Sequence, residues 1–461
     1  MAIEYKSTRG EDRVSFEEAL LRGLAPDGGL YVPTAIPRLP FAFTGSRGTF
    51  ASSRDTLTGL RDTLTSSRDT LTSSRDVSAT PGFVELSLSV LSRWLSDEID
   101  NADLEQVVRD ALNFDVTLVP LDGIEWEDVH VLELFHGPTL SFKDFGARTM
   151  ARLMGHFLER RDEKVTILVA TSGDTGSAVA DGFAGQDRID VVLLYPKGKV
   201  SRTQERQLIV ERPGVRALAV EGDFDDCQRL VKEAFGNPAL ADRSLSSANS
   251  INIGRLLPQM LYYIWAMETL KSRDVVFCVP SGNLGNLTAG ILALLSGLPV
   301  RNFIAAHNAN DFYPRLLSGE DAAFGPTVRT LSNAMDVGAP SNFERLDALL
   351  ERDQMRRLIQ GASVSDDATS ASMRRVYDAT GYVADPHTAV GLEAVRRARR
   401  EGNAEAPAVV LATAHPAKFP EIVKDAIGVE PEVPERLSDL WRKPVSVETI
   451  APSQDALARR L

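Results

Sequence analysis

From about residue 115 onward, short runs of consecutive apolar residues alternate with longer stretches whose apolar positions recur every three or four residues. The runs Val165–Ala170, Val191–Tyr195, Ala217–Val220, Val275–Val279 and Phe303–Ala306 are compact and rich in β-branched residues, so they predict strands. Helical patterns fill the gaps at 175–185, 202–210, 224–235, 255–270 and 286–296. Such β-α alternation implies parallel sheets covered on both faces, an α/β fold class, with more than one sheet in a chain this long. Upstream, Ser15 to Arg22 predicts a helix. The turn-rich APDGGLYVP follows, where Gly28 and Gly29 allow a tight turn before a strand-like Leu30 to Val32. Phe83 to Leu95 reads as an amphipathic helix, and beyond about residue 420 the tail reads as helical and irregular, broken by Pro431 and Pro434.

One stretch breaks the pattern. From Ser52 the chain repeats SSRDTLT, GLRDTLT, SSRDTLT and SSRD, a period of seven with one recurring leucine position, Leu57, Leu64 and Leu71. A coiled coil needs two apolar positions per heptad, and serine and threonine are mediocre helix formers. The reading is an exposed, mobile insertion spanning about 44–76.

Composition narrows the function. A chain of 461 residues exceeds what one core normally serves, so two or three domains are expected. A net charge of -13 offers no basic footprint for nucleic acid or an anionic membrane. Two cysteines, Cys227 and Cys278, are too few for a disulfide framework, which points to a reducing cytoplasm. The six histidines lack ligand spacing, so no metal is expected. The charged start lacks an apolar h-region, and no run approaches the roughly 20 apolar residues of a membrane span.

Candidate chemistry lies in five stretches. In FHGPTLSFKDFG, Lys143 follows a glycine-proline turn and precedes a buried helix face marked by Phe145, Met150, Leu153, Met154 and Phe157. Burial disfavours the charged ammonium, which suits a lysine that forms an imine with an aldehyde; the alternative is a lysine snorkelling to water. In ATSGDTGSA, Ser172, Thr175 and backbone N–H groups at a helix start suit a carboxylate, or Asp174 or Thr175 simply caps the helix. In VPSGNLGNLTAG, Gly282 and Gly285 let the backbone curl round a phosphate; the alternative is a plain turn. LATAHPAKF ends a short strand at Thr413, a hydroxyl able to reach a buried ligand, with His415 and Lys418 readable as surface polar groups. SANSINIGR crowds hydroxyls and amides ahead of Arg255, suiting an anion or an ordinary N-cap. Together, an imine lysine, a phosphate cradle, a carboxylate loop and a hydroxyl for a ring nitrogen are the parts a pyridoxal phosphate enzyme must supply.

These residues resemble a known family. FHGPTLSFKDFG, TSGDTGSA, YPKGKVS, NSANSINIGRL, PSGNLGN, LSNAMDVGAPSN, GYVADPHTAV and TAHPAKF are similar, in that order, to threonine synthases of the longer branch. The resemblance implies two parallel-sheet α/β domains of the tryptophan-synthase-β-like type, with a mostly helical N-terminal domain over residues 1–110 and a catalytic region over 111–461. It implies pyridoxal 5′-phosphate held covalently by Lys143, its phosphate by Gly282, Asn283, Leu284 and Gly285 with Asn286 adjoining, and its ring nitrogen by Thr413. Ser172, Asp174 and Thr175 would face the substrate, and Lys199, Ser201, Asn252 and Arg255 would hold its phosphate. The implied reaction converts O-phospho-L-homoserine and water to L-threonine and phosphate, by a monomer or homodimer without nucleic-acid or membrane partners. A phospholyase acting on O-phosphothreonine, or a serine/threonine dehydratase of the same fold, is the alternative. Family members often carry phenylalanine and aspartate where this chain has Leu284 and Asn286.

Overall fold

A computed structural model describes residues 2–39, 82–240, 242–402 and 406–461. The repeat segment from residue 52 to 76 lies outside the described residues.

The strands in chain order are β1 (Tyr5–Ser7), β2 (Arg13–Val14), β3 (Tyr31–Pro33), β4 (Thr117–Pro120), β5 (Val129–Glu133), β6 (Val165–Ala170), β7 (Ile189–Pro196), β8 (Val215–Val220), β9 (Leu245–Ser247), β10 (Val276–Pro280), β11 (Asn302–His307), β12 (Ile359–Ser363), β13 (Ala408–Ala412) and β14 (Glu448–Ile450). They form three sheets, in the orders β2-β1-β3, β12-β11-β10-β13-β5-β4 and β14-β8-β7-β6-β9. The six-stranded sheet is parallel apart from its edge strand β4, and the five-stranded sheet is parallel throughout. Their central strands are buried on both faces, which is why they read as unbroken apolar runs. The two sheets organise two lobes.

The predicted elements recur with small shifts. The helix expected over 255–270 begins at Met260, because two 3₁₀ turns, Ile253–Arg255 and Leu257–Gln259, precede it around Pro258. The N-terminal region carries a small antiparallel sheet beside its helices, and β1 is its centre. The tail is not only helical and irregular: its three-residue β14 pairs with β8 and completes the smaller lobe's sheet.

The helix Lys143–Arg161 links the parts. Phe145, Met150, Met154 and Phe157 are wholly buried, as their spacing predicts. Phe145 packs edge-on to Phe83, Phe114 and Tyr262, and Phe157 meets Phe16 from the N-terminal region. Burying one such ring is worth about 1.5–3 kcal/mol, so this helix is fixed by packing and its first residue cannot wander. No helix among the described residues is long and apolar enough to cross a membrane.

Candidate active site

The loops after β5, β6, β9, β10 and β13 all meet at one cleft between the lobes, beyond the carboxyl ends of the strands. That is where open parallel sheets place ligands. The cleft is lined by Lys143, Ser172, Asp174, Thr175, Arg255 and the loop Ser281–Asn286, with Thr413 and His387.

Lys143 enters from the turn after β5. Thr139 donates to Asp144 twice, from its backbone N at 2.8 Å and from its hydroxyl at 2.7 Å. A Cβ on Gly137 would stand 2.4 Å from Asp144 Oδ2, so glycine is needed for the turn to close on that carboxylate. Burial pushes the Asp144 carboxyl up to about 6, against the hydrogen bonds from Thr139. The turn thus pins the helix start, and Lys143 Nζ lies 5.1 Å from the Phe142 ring centroid. Burial brings the Lys143 amine down to about 8; Asp174 works against that, while Lys418 and Arg255 add to it.

The loop after β10 forms one wall. Leu284 adopts a left-handed backbone, φ 61, and the helix Gly285–Leu295 starts without a side-chain cap. Its first N–H groups therefore lack a side-chain acceptor and carry the positive end of the helix dipole. A Cβ on Gly282 would stand 2.7 Å from Met335 Cα, so only glycine lets the segment around Met335 lie on this loop. Tyr262 and Tyr263 donate to Asn286 Oδ1 at 2.6 and 2.7 Å, and the buried Asn286 Nδ2 has no partner among the described residues. Asn342 Nδ2 is likewise buried and unpartnered, 3.3 Å from where a Gly285 Cβ would stand. Buried donors are normally satisfied, so this cluster fits a phosphate. Asn283 is spanned between Ser250 and the Ser341 backbone N–H.

The loop after β6 forms the other wall and is filled differently. Neither Asp174 nor Thr175 caps its helix; Thr171 Oγ1 accepts from Gly173 N at 3.0 Å and Gly176 N at 2.8 Å. Asp174 is buried and pairs with Lys418 at 2.7 Å across the two lobes. Gln204 Nε2 donates to the same Asp174 oxygen at 3.0 Å, and Gln204 Oε1 accepts from Asn333 Nδ2 at 3.3 Å. Burial alone would raise the Asp174 carboxyl, but the charges of Lys418 and Lys143 hold it well below the usual carboxylate range.

Lys418 is not the surface group its sequence suggests: it is fully buried, and its Nζ also donates to Thr139 O at 3.1 Å. His415 is half-buried against Phe135, and burial pushes it down to about 4. Thr413 faces the cleft, and its carbonyl accepts from Phe142 N at 2.9 Å. Arg255 is buried, and its Nε has no partner among the described residues. Lys199 and Ser201 line an adjoining pocket that shares Ser172 and Phe224 with the cleft, and the Ser201 hydroxyl accepts from Gln204 N at 3.1 Å as a helix cap. Asn252 does not line the cleft: its amide donates to Leu20 O and Ser247 O at 2.8 and 3.0 Å and its oxygen accepts from Gly254 N. Sequence reasoning missed His387, which lines the cleft, and Gln204 and Asn342, which stand behind its lining against Asp174 and Gly285. The S-x-x-Q spacing of Ser201 and Gln204 signals a helix start, while nothing in it signals the contact with Asp174.

Comparison with known proteins agrees with this geometry. Family models match at residues 4–48 (threonine synthase N terminus), 116–414 (pyridoxal-phosphate dependent enzyme) and 388–460 (threonine synthase, C-terminal). The threonine synthase of Escherichia coli is 40% identical over 458 residues, covering 98% of this chain and 96% of that one. That of Haemophilus influenzae is 39% identical over 437 residues, covering 94% and 93%. The crystal structure of pyridoxal-phosphate-bound threonine synthase from Brucella melitensis superposes with a TM-score of 0.84 at 36% identity, covering 100% of this chain and 98% of that one. The chain belongs to the threonine synthase family of pyridoxal phosphate-dependent lyases, with the tryptophan-synthase-β-like fold of that group.

Proposed function

We propose that the protein converts O-phospho-L-homoserine and water to L-threonine and phosphate, with Lys143 as the residue that carries pyridoxal 5′-phosphate. One observation carries this reading: a half-buried lysine with a lowered pKa shares a single cleft with an uncapped helix start and a second wall of donors. A phosphorylated amino acid acting on a phosphorylated cofactor needs more than one anion site, and the cleft with its adjoining pocket supplies them.

In this reading Gly282, Asn283, Leu284 and Gly285 hold the cofactor phosphate through backbone N–H groups, joined by the free amides of Asn286 and Asn342. Thr413 holds the ring nitrogen. Bound pyridoxal phosphate supplies the electron sink that lets protons leave Cα and Cβ of the substrate. Lys143, once released, accepts and returns those protons, a task matched by an amine that titrates near 8. Ser172 and Thr175 hold the substrate carboxylate. Arg255, with Lys199 and Ser201 in the adjoining pocket, holds the substrate phosphate. Asn252 contributes by fixing the turn that presents Arg255. The Lys418–Asp174 and Gln204–Asn333 contacts bridge the lobes and hold water out. Residues 1–110 act as an N-terminal unit bracing the catalytic region 111–461, where Arg345 Nε donates to Tyr31 O at 2.9 Å. The buried free thiols of Cys227 and Cys278 fit a cytoplasmic enzyme. Light scattering on the purified chain separates monomer from homodimer.

The test is an end-product assay with O-phospho-L-homoserine, reading threonine and phosphate together. Equal amounts of both, with Lys143→Ala reducing turnover by at least about a thousandfold, are the expected outcome. Keto acid and ammonia in place of threonine would move the chain to the dehydratase or phospholyase reading.

A further inference from the structure

A lysine with no exposed surface is rare unless its charge is answered, and Lys418 is answered by Asp174. The pair joins the turn after β13 to the helix start after β6, and it sits beside Lys143. We propose that Lys418, through this buried pair, is a positioning residue that keeps the Lys143 amine free to capture an aldehyde. This rests on the reading of Lys143 as the lysine that carries the cofactor.

Three charged groups face Lys143 from three separate elements: Asp174 from the smaller lobe, Lys418 from the turn after β13 and Arg255 from the turn after β9. On its own helix, Asp144 is held by Thr139, and its charge acts on Lys418 and Arg255. His387, across the cleft, has its Nδ1 on Asp385 at 2.6 Å and its Nε2 accepting from Ala334 N at 3.1 Å. Among the described residues, Asp174 is thus the carboxylate acting on Lys143, and Lys418 and Gln204 hold its Oδ1 at 2.7 and 3.0 Å. An anion committed in this way is a weaker counter-ion for a second cation. Without Lys418, Asp174 would turn its whole charge to Lys143 and lock it as ammonium.

The protonation state matters because only the free amine reacts. Its lone pair forms the C–N bond at the aldehyde carbon, the carbonyl oxygen takes up protons, and water leaves as C=N forms. The two members of the pair therefore have opposite effects on one observable. Loss of the Lys418 cation raises the midpoint for capture; loss of the Asp174 anion lowers it.

The full-length chain, freed of pyridoxal phosphate, is mixed with pyridoxal 5′-phosphate between about pH 6 and 10, and the adduct is reduced and located by peptide mass. Pyridoxal serves as a second probe that carries no titrating phosphate. The native midpoint is expected at about 8. Lys418→Met moves it up by about one unit or more, slowing capture at pH 7 about tenfold or more. Asp174→Asn moves it down and speeds capture at pH 7 severalfold, and Lys418→Arg stays near the native profile. Unchanged midpoints in both variants, or shifts of the same sign, would overturn the proposal and leave the pair a structural pin. If Lys418→Met does not fold, Asp174→Asn alone and the double variant decide, the latter expected near the native midpoint. An adduct on a lysine other than Lys143 overturns the assignment of Lys143 itself, a result distinct from an adduct on Lys143 with an unmoved midpoint.

Discussion

The loops after β10 and β6 are the same local device, a strand feeding a glycine-bearing loop and a helix, yet they are completed in opposite ways. The first leaves its helix start uncapped and surrounds it with unpartnered amides from Asn286 and Asn342. The second spends its polar groups internally, on Thr171, Gln204 and Lys418. A wall of backbone donors with no titratable side chain binds an anion over a broad pH range. A wall built on a buried carboxylate and two lysines responds to protons and to the approach of the lobes. In the proposed reading, the difference separates permanent tenure of a cofactor from transient handling of a substrate.

The sharpest way to break this comparison is Gly282→Val. Its branched side chain must displace the backbone of Met335, so affinity for pyridoxal phosphate is expected to fall about a hundredfold, some 2.7 kcal/mol. Unchanged affinity in an absorbance titration would mean that the first wall is not the cradle. Gln204→Leu addresses the second wall. It removes the contacts with Asp174 and Asn333 and is expected to raise KM for the substrate about tenfold while cofactor affinity holds. A loss of cofactor affinity instead would show that the walls are not separable. Asn286→Asp keeps an acceptor for both tyrosines and replaces the free donor with a charge, so cofactor affinity should drop severalfold, about 1 kcal/mol. Ser201→Ala should cost about 1 kcal/mol of stability through its cap, read by thermal melting. A rise in KM beyond that loss would place its hydroxyl on the substrate phosphate.

Much of this was legible in the chain. Apolar runs such as Val165–Ala170 located the strands because burial on both faces leaves no polar positions to confuse the period. The glycine-rich loops were legible because close backbone approach leaves few alternatives to glycine, as Gly282 against Met335 shows. Lys418 and Asn252 were not legible for a shared reason. A polar side chain's partners are chosen by tertiary contacts hundreds of residues away, so Lys418 reads as surface while it meets Thr139, and Asn252 reads as a ligand while it meets Leu20. Leu284 carries no signal of its left-handed backbone, and a strand of three residues such as β14 falls below any periodicity.

That short strand has a consequence for how the chain reaches its folded form. Strands β6 to β9 come from one continuous stretch, but the far edge of their sheet, β8, is covered only when β14 arrives from much later in the sequence. Until it docks, β8 presents open N–H and C=O groups to any other unfinished chain, the geometry from which aggregates grow. Once docked, β14 is itself an edge of three residues, with Pro444 and Pro452 close by on either side, too short and too interrupted to recruit a neighbour. The tail thus acts as a stopper: a chain shortened before Glu448 would retain its cleft residues and still be the species most prone to precipitate.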